Sequence, residues 1–256
     1  MPDAKQNGFQ SLTEAPAAVF LDLDNTLYPY DPCDTAGRAA LGEIASHLPE
    51  VDRFAFNQAY DQGRAATHQD LHGTAASHSR LLYLQKALEQ IHPEYDIRLL
   101  LSLYETYWSA YMATMRLFPG VEDFLRHLEQ RGIPTVVVTD LTVHIQLRKL
   151  VRLGLGDLLS AVVTSEEAGR EKPDPRVFHR ALRKAGDPCP ARVWMIGDNE
   201  AKDIAGANQA GLISLIRLPT DAGTPTEANC RFDDFQALDQ HLRQLPDRRG
   251  YHGRTG

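Results

Sequence analysis

The chain has 256 residues, 43% of them hydrophobic and 24% charged, with a formal net charge of −7. That length and balance suit one large or two smaller globular units around a sizeable core, and they exclude a disordered or fibrous chain. The acidic balance argues against nucleic acid or an anionic membrane surface as the main partner, since both attract clustered Lys and Arg; a small anionic substrate answers to the field of one pocket and stays allowed.

Residues 1–16 are polar and lack an apolar signal core, so they are expected to form a flexible lead-in. Residues 17–24 (AAVFLDLD) form an apolar run that ends in carboxylates. Unbroken apolar character suits a central parallel strand buried on both faces. The stretch 31–116 has no convincing strand and reads as helices at about 35–48, 51–67, 79–91 and 95–117, a helical insertion after the first strand. Strand-like runs then recur at 135–140 (TVVVTD), 161–164 (AVVT), 193–198 (VWMIGD) and 213–216 (ISLI). Helical patterns lie between them, behind Pro119-Gly120 and behind residues 172–175 (KPDP), and Phe235, Leu238 and Leu242 mark a last amphipathic segment. Strand and helix in alternation predict βαβ units and a parallel sheet, an α/β fold. The expected division is a core of residues 17–30 and 117–245, a helical cap of 31–116, and a flexible tail of 246–256.

Three cysteines, Cys33, Cys189 and Cys230, are widely spaced with no C-x-x-C, which argues against a disulfide framework or a cysteine zinc site. No run of ~18 apolar residues exists to span a membrane. A cytoplasmic location is expected.

Four features lie at or just past strand ends: Asp22 with Asp24, Thr139 with Asp140, Lys172, and residues 197–203 with Asp198 and Asp203. In open α/β sheets, ligands sit outside the carboxyl ends of the strands, so all four converge on one crevice. Clustered carboxylates repel one another and need cations. A hard divalent ion with oxygen ligands fits, and Mg²⁺ commonly takes one or two carboxylates plus phosphate oxygens. Lys172 is a compact charge suited to a phosphate, and Thr139 can donate to a phosphoryl oxygen. In the D-x-D pair, one carboxylate can attack phosphorus while the other handles the leaving-group proton.

On these residues the chain resembles the haloacid dehalogenase-like hydrolase superfamily. Residues 22–27 (DLDNTL) match its first motif, 138–140 (VTD) the second, 172–175 the third and 197–203 the fourth, over about residues 17–220. The resemblance implies a Rossmann-like core with strand order 5-4-1-2-3 and a C1 cap inserted after the first motif. It implies Asp22 as nucleophile, Asp24 as acid/base, and a Mg²⁺ site built from Asp22, Asp24 and Asp198. Asp203 is read as metal ligand, supporting carboxylate or helix surface. Lys172 is assigned a catalytic role and, with Thr139 and Asp140, binding of the phosphate, and Asp140, where many relatives carry Asn, is expected to act through its backbone N–H. Presence of Asp24 points to phosphoryl transfer rather than dehalogenation. Residues 25–29 (NTLYP) are similar to the pyrimidine 5′-nucleotidase-like branch. The cap stretch 67–80, carrying His72, His78 and Arg80, is expected to form a loop that contacts the substrate beyond its phosphate.

The expected activity is hydrolysis of a small phosphorylated metabolite, such as a nucleoside 5′-monophosphate or sugar phosphate. A phosphomutase on the same scaffold and a non-catalytic phosphate-binding or signalling domain are the competing readings. The bland alternatives are a calcium loop from Asp22, which fails because Leu27 and Cys33 stand where Gly and Glu are needed; a zinc pair at His68 and His72, which lacks a third ligand; and an aromatic group, Tyr104, Tyr107, Trp108 and Tyr111, better read as cap core than as a stacking platform.

Overall fold

The computed structural model describes residues 8–46, 52–219 and 225–246. Six parallel strands form one sheet in the order β3-β2-β1-β4-β5-β6. They are β1 (Ala18–Leu21), β2 (Thr135–Thr139), β3 (Ala161–Thr164), β4 (Val193–Gly197), β5 (Ile213–Arg217) and β6 (Cys230–Phe232). The first five stand where sequence places them and in the order the resemblance implies. The sixth was not anticipated: three residues are too few to show a period.

β1 explains its own sequence. Val19 and Leu21 pack into the layer that holds Phe124, Leu128 and Phe235, whereas Ala18 and Phe20 pack into the layer of Val177 and Phe178. Side chains alternate across a strand, so burial of both faces requires every residue to be apolar. Between these strands run α5 (Val121–Gln130), α6 (Val143–Arg152), α7 (Ser165–Ala168), α8 (Pro175–Lys184) and α9 (Ala205–Gln209), and α10 (Phe235–Gln244) closes the fold.

α6 escaped the sequence reading. Its buried positions are Ile145, Gln146, Lys149 and Leu150. Two are polar, so the apolar period that announces a helix is broken at the face that faces inward.

Four helices lie between β1 and α5, Tyr30–Ala45, Arg53–Asp70, Arg80–Ile91 and Ile97–Thr114, numbered α1–α4 in chain order. α1 begins five residues before the expected start. Pro29 sits at its N-cap and Pro32 in its first turn, where a missing N–H costs nothing. α2 is capped by Asp52, whose carboxylate accepts from the Ala55 N–H at 2.7 Å, and runs to Asp70. The expected loop 67–80 is thus shorter, and a 3₁₀ turn, Ala75–His78, occupies part of it. Tyr107, Trp108 and Tyr111 of α4 are buried with Phe56, Tyr60 and Tyr83 of α2 and α3, which is the cap-core reading of the aromatic group. Burial of such side chains contributes roughly 1.5–3 kcal/mol each.

Residues 8–16 pack on the core: Leu12 is 2% exposed and Phe9 stacks on His241 of α10. The expected flexible lead-in therefore does not reach them; its first seven residues, like the tail from 247, lie outside the described residues. No described helix is long and apolar enough to cross a membrane.

Candidate active site

Strand order reverses at β1, between β2 and β4, and the loops past their carboxyl ends enclose a cavity of about 340 Å³. Asp22, Asp24, Thr139, Asp140, Lys172, Asp198 and Asp203 all line it. The chain leaves β1 through Asn25, whose left-handed φ of 63° turns it sharply after Asp24. Both carboxylates of the D-x-D pair thereby stay at the same crevice instead of diverging across the sheet.

Lys172 is 4% exposed and sits at the centre. Its ammonium donates to Asp22 Oδ1 at 2.6 Å, to Asp203 Oδ1 at 2.7 Å and to the Val138 carbonyl at 3.0 Å. Burial works against its charge, but Asp203, Asp22 and Asp140 outweigh burial and hold the proton well above the usual lysine range. Asp22 Oδ2 accepts from the Thr26 hydroxyl at 2.9 Å. Burial is the strongest influence on Asp22 and raises it; Lys172 opposes, Asp203 and Asp198 add repulsion, and the carboxyl ends well above its ordinary value.

The fourth motif supplies the other acids. Gly197 ends β4 with the Asp203 side chain pressed against it: a Cβ there would stand 2.4 Å from Asp203, so only glycine fits. Asn199 caps a wide turn, Glu200–Ile204, through the Lys202 N–H at 3.0 Å, and that turn carries Asp203 back over the strand end. Oxygens of Asp22, Asp198 and Asp203 lie within 4.8 Å of one another. Burial, then repulsion from Asp203, pushes Asp198 up to about 6 despite Lys172. Three carboxylates around one lysine are short of positive charge, and an oxygen-only donor set fits a hard divalent cation. Asp203 spends one oxygen on Lys172 and the other on the Asn199 N–H at 3.0 Å, and Asp22 spends its two on Lys172 and Thr26, so Asp198, met by the Thr26 hydroxyl at 3.4 Å, keeps the most capacity for an ion.

Asp24 has partners the sequence reading missed. Lys149 of α6, 1% exposed, donates to both its oxygens at 2.8 and 2.9 Å, and the Tyr28 hydroxyl donates as well. Burial pushes Asp24 up, but Lys149 and Tyr28 outweigh it and the carboxyl lies below its usual range. Gln146, one turn before Lys149, donates to Thr139 Oγ1 and to the Asp140 carbonyl, both at 2.6 Å. Asp140 itself uses its carboxylate: Oδ1 accepts the Lys172 N–H at 3.0 Å and Oδ2 accepts from Lys202 at 2.8 Å. Its side chain thus holds the Lys172 loop in place, beyond the backbone role the resemblance implies.

The insertion closes the cavity from the other side with Tyr30, Arg64, His78 and Arg80. Arg80 is 7% exposed and is built into the aromatic core. It donates to the Tyr107 hydroxyl at 3.3 Å, to the His78 carbonyl at 3.0 Å and to the Tyr30 hydroxyl, with Asp34 3.8 Å away. Of the other two residues expected to meet substrate, His78 lines the cavity and His72 is exposed outside its lining. Glu171 joins insertion to core: its N–H donates to the Gly73 carbonyl at 3.1 Å, while its carboxylate accepts from Ser77 at 2.7 Å and pairs with His78 at 3.0 Å. Burial raises Glu171, yet His78, Ser77 and Lys202 together bring it down to about 2. Among described residues, His68 and His72 join no potential metal-ligand group; His68 instead meets the Tyr83 hydroxyl at 3.0 Å. A second acidic group, His78 with Asp140 and Glu171, is already bridged by Lys202.

Comparison with known proteins agrees with this geometry. The chain is 42% identical over 229 residues to a ribulose-1,5-bisphosphate 5-phosphatase of Halopiger xanaduensis, covering 89% of this chain and 95% of that protein. It is 31% identical to a glyceraldehyde 3-phosphate phosphatase of Methanothermobacter thermautotrophicus (78% and 84% covered) and 29% identical to the pyrimidine 5′-nucleotidase YjjG of Escherichia coli (76% and 82%). A 2-haloacid dehalogenase structure from Pseudomonas syringae superposes with a TM-score of 0.69 at 25% identity, over 88% of this chain and 97% of that one. The sequence model of the haloacid dehalogenase-like hydrolases matches residues 16–211. With four motifs gathered at one strand-end cavity and most of its length matched, the chain belongs to the haloacid dehalogenase-like hydrolase family.

Proposed function

We propose that this protein is a Mg²⁺-dependent phosphohydrolase acting on a small phosphorylated metabolite, a sugar phosphate before a nucleotide. The single observation that carries the reading is the second carboxylate: Asp24 lines the cavity with Asp22, beside Lys172 and a cation-deficient acidic pair. The relative with 42% identity acts on a sugar bisphosphate by name, and the nucleotidase relative is more distant at 29%, which supports the sugar phosphate.

In this reading Asp22 is the nucleophile, kept in place by Lys172 and Thr26. A carboxylate oxygen of Asp22 attacks phosphorus, the P–O ester bond breaks, and the leaving alkoxide takes a proton from Asp24. Water then attacks the aspartyl phosphate, Asp24 takes its proton, and inorganic phosphate leaves with Asp22 restored. Asp22, Asp198 and, through its position, Asp203 would hold Mg²⁺, which when bound neutralises charge on the phosphoryl oxygens. Lys149 keeps Asp24 ionised before substrate arrives; a phosphate dianion brought beside Asp24 favours its protonated form and readies it as acid. Thr139 and the Asp140 N–H serve the phosphoryl oxygens. The domains act as core (17–30 and 117–245) and cap (31–116), and the unpaired cysteines suit a reducing cytoplasm.

The test is phosphate release from an aryl phosphate and a panel of sugar phosphates and nucleoside monophosphates, with and without Mg²⁺. Mg²⁺-dependent release that disappears in Asp22→Asn is expected. A rate in Asp22→Asn near that of the parent protein removes the nucleophile, and no release from any substrate removes the enzyme.

A further inference from the structure

Every carboxylate that lines the catalytic cavity comes from the sheet side; the insertion contributes Tyr30, Arg64, His78 and Arg80 and no acid. The cations on the wall are mostly neutralised. Lys149 pairs with Asp24, Lys172 with Asp22 and Asp203, and Lys202 with Asp140. Arg80 is buried among ring faces with Asp34 behind it. Arg64, on the third turn of α2, is exposed and makes no hydrogen bond or ion pair among the described residues. Among the described residues it is thus the lining cation left uncommitted, and it comes from the insertion, whereas the acidic cluster comes from the sheet side.

We propose that Arg64 binds a second anionic group of the substrate, a phosphate or a carboxylate remote from the phosphate that is cleaved. The inference rests on the phosphohydrolase reading and deepens it. A planar guanidinium presents paired N–H donors that match either group bidentately. On the sheet side, Lys172 and the acidic pair's cation answer the scissile phosphate; nothing there is left for a second charge. Among the described residues, the unneutralised positive charge that a substrate spanning the cavity meets is Arg64, so electrostatic complementarity selects a molecule anionic at both ends.

The experiment compares three substrates on the full chain in Mg²⁺: a pentose 1,5-bisphosphate, the matching pentose 5-phosphate, and 5-phosphoribonate. The measured quantity is the ratio of kcat/KM for each doubly anionic substrate to that for the monophosphate. Arg64→Ala should lower that ratio about tenfold or more, mainly through KM, as expected for one lost charge-assisted contact. Arg64→Lys should restore part of it, which a merely structural side chain would not do. The arm that responds, bisphosphate or phosphorylated acid, identifies the anion. An unchanged ratio on both arms, with the parent protein still releasing phosphate, overturns the Arg64 site alone. A parent protein that hydrolyses none of the three or an aryl phosphate overturns the phosphohydrolase reading and this inference with it.

Discussion

Replacement of Lys149 by Met exposes what α6 contributes to the site. The ammonium is 1% exposed and bonds both oxygens of Asp24, and it sits 5.3–5.9 Å from the ring centres of Tyr28, Trp108 and Tyr111. Met keeps most of the stem but strands the carboxylate. Stranding one partner of a fully buried pair costs about 3–5 kcal/mol. The Asp24 side chain is 31% exposed, so water screens part of the loss, and about 2–3 kcal/mol is the expected deficit at pH 7. For a chain of this size that is a melting temperature lower by roughly 4–12 °C. The deficit depends on pH with a definite sign. In the parent protein Asp24 lies below its usual range, so its stabilisation is complete above pH ~4 and is lost as pH falls through the lowered value. In Lys149→Met burial remains and the opposing charge is gone. The folded state then holds a proton that the unfolded chain has released, and stability falls as pH rises above ~4. Urea unfolding of both proteins at pH 4.5 and 7 in saturating Mg²⁺ should show the gap widening toward pH 7. The double replacement Lys149→Met with Asp24→Asn should recover much of it. A deficit below about 1 kcal/mol at pH 7, or one independent of pH, would refute the reasoning.

Saturating Mg²⁺ should raise the melting temperature by roughly 5–10 °C at about a hundred times its dissociation constant, and Asp198→Asn should lose most of that response; an undiminished response places the ion elsewhere. Without divalent ions the sign for Asp198 is opposite to that for Asp24. With its carboxyl at about 6 when folded, stability should drop as pH rises from ~4 to ~6, and Asp198→Asn should flatten that slope in a melting series. Arg80→Ala should destabilise the insertion by several degrees in the same assay, because it removes a buried guanidinium from Tyr30, Tyr107 and the His78 carbonyl; His72→Ala, exposed and outside the cavity, should leave both melting and kcat/KM unchanged. A selective kinetic effect of His72→Ala would return the 67–80 stretch to its expected role.

The site's core was legible because its chemistry sits at strand ends. Asp22, Thr139 and Asp198 each follow an apolar run, and parallel strands with helical crossovers must bring those ends together whatever the details of packing. The helical insertion was legible for the same kind of reason: it lacks alternation and carries helical spacing. What escaped was polar burial. Lys149 and Gln146 sit on the inward face of α6, where they interrupt the apolar period that would have revealed the helix and where a sequence offers no sign of their partners on β1 and β2. Arg80 was expected at the substrate and is mostly consumed by aromatic hydroxyls of helices distant in sequence, whereas nothing in the sequence singles out Arg64 within its helix. By itself, then, the sequence determined five of the six strands and which side chains stand at their carboxyl ends, because local pattern and connection rules suffice for those. Only tertiary structure decided which charges are paired and which are left open toward a ligand, because pairing depends on which helix faces meet, and 125 residues separate Asp24 from the lysine that holds it.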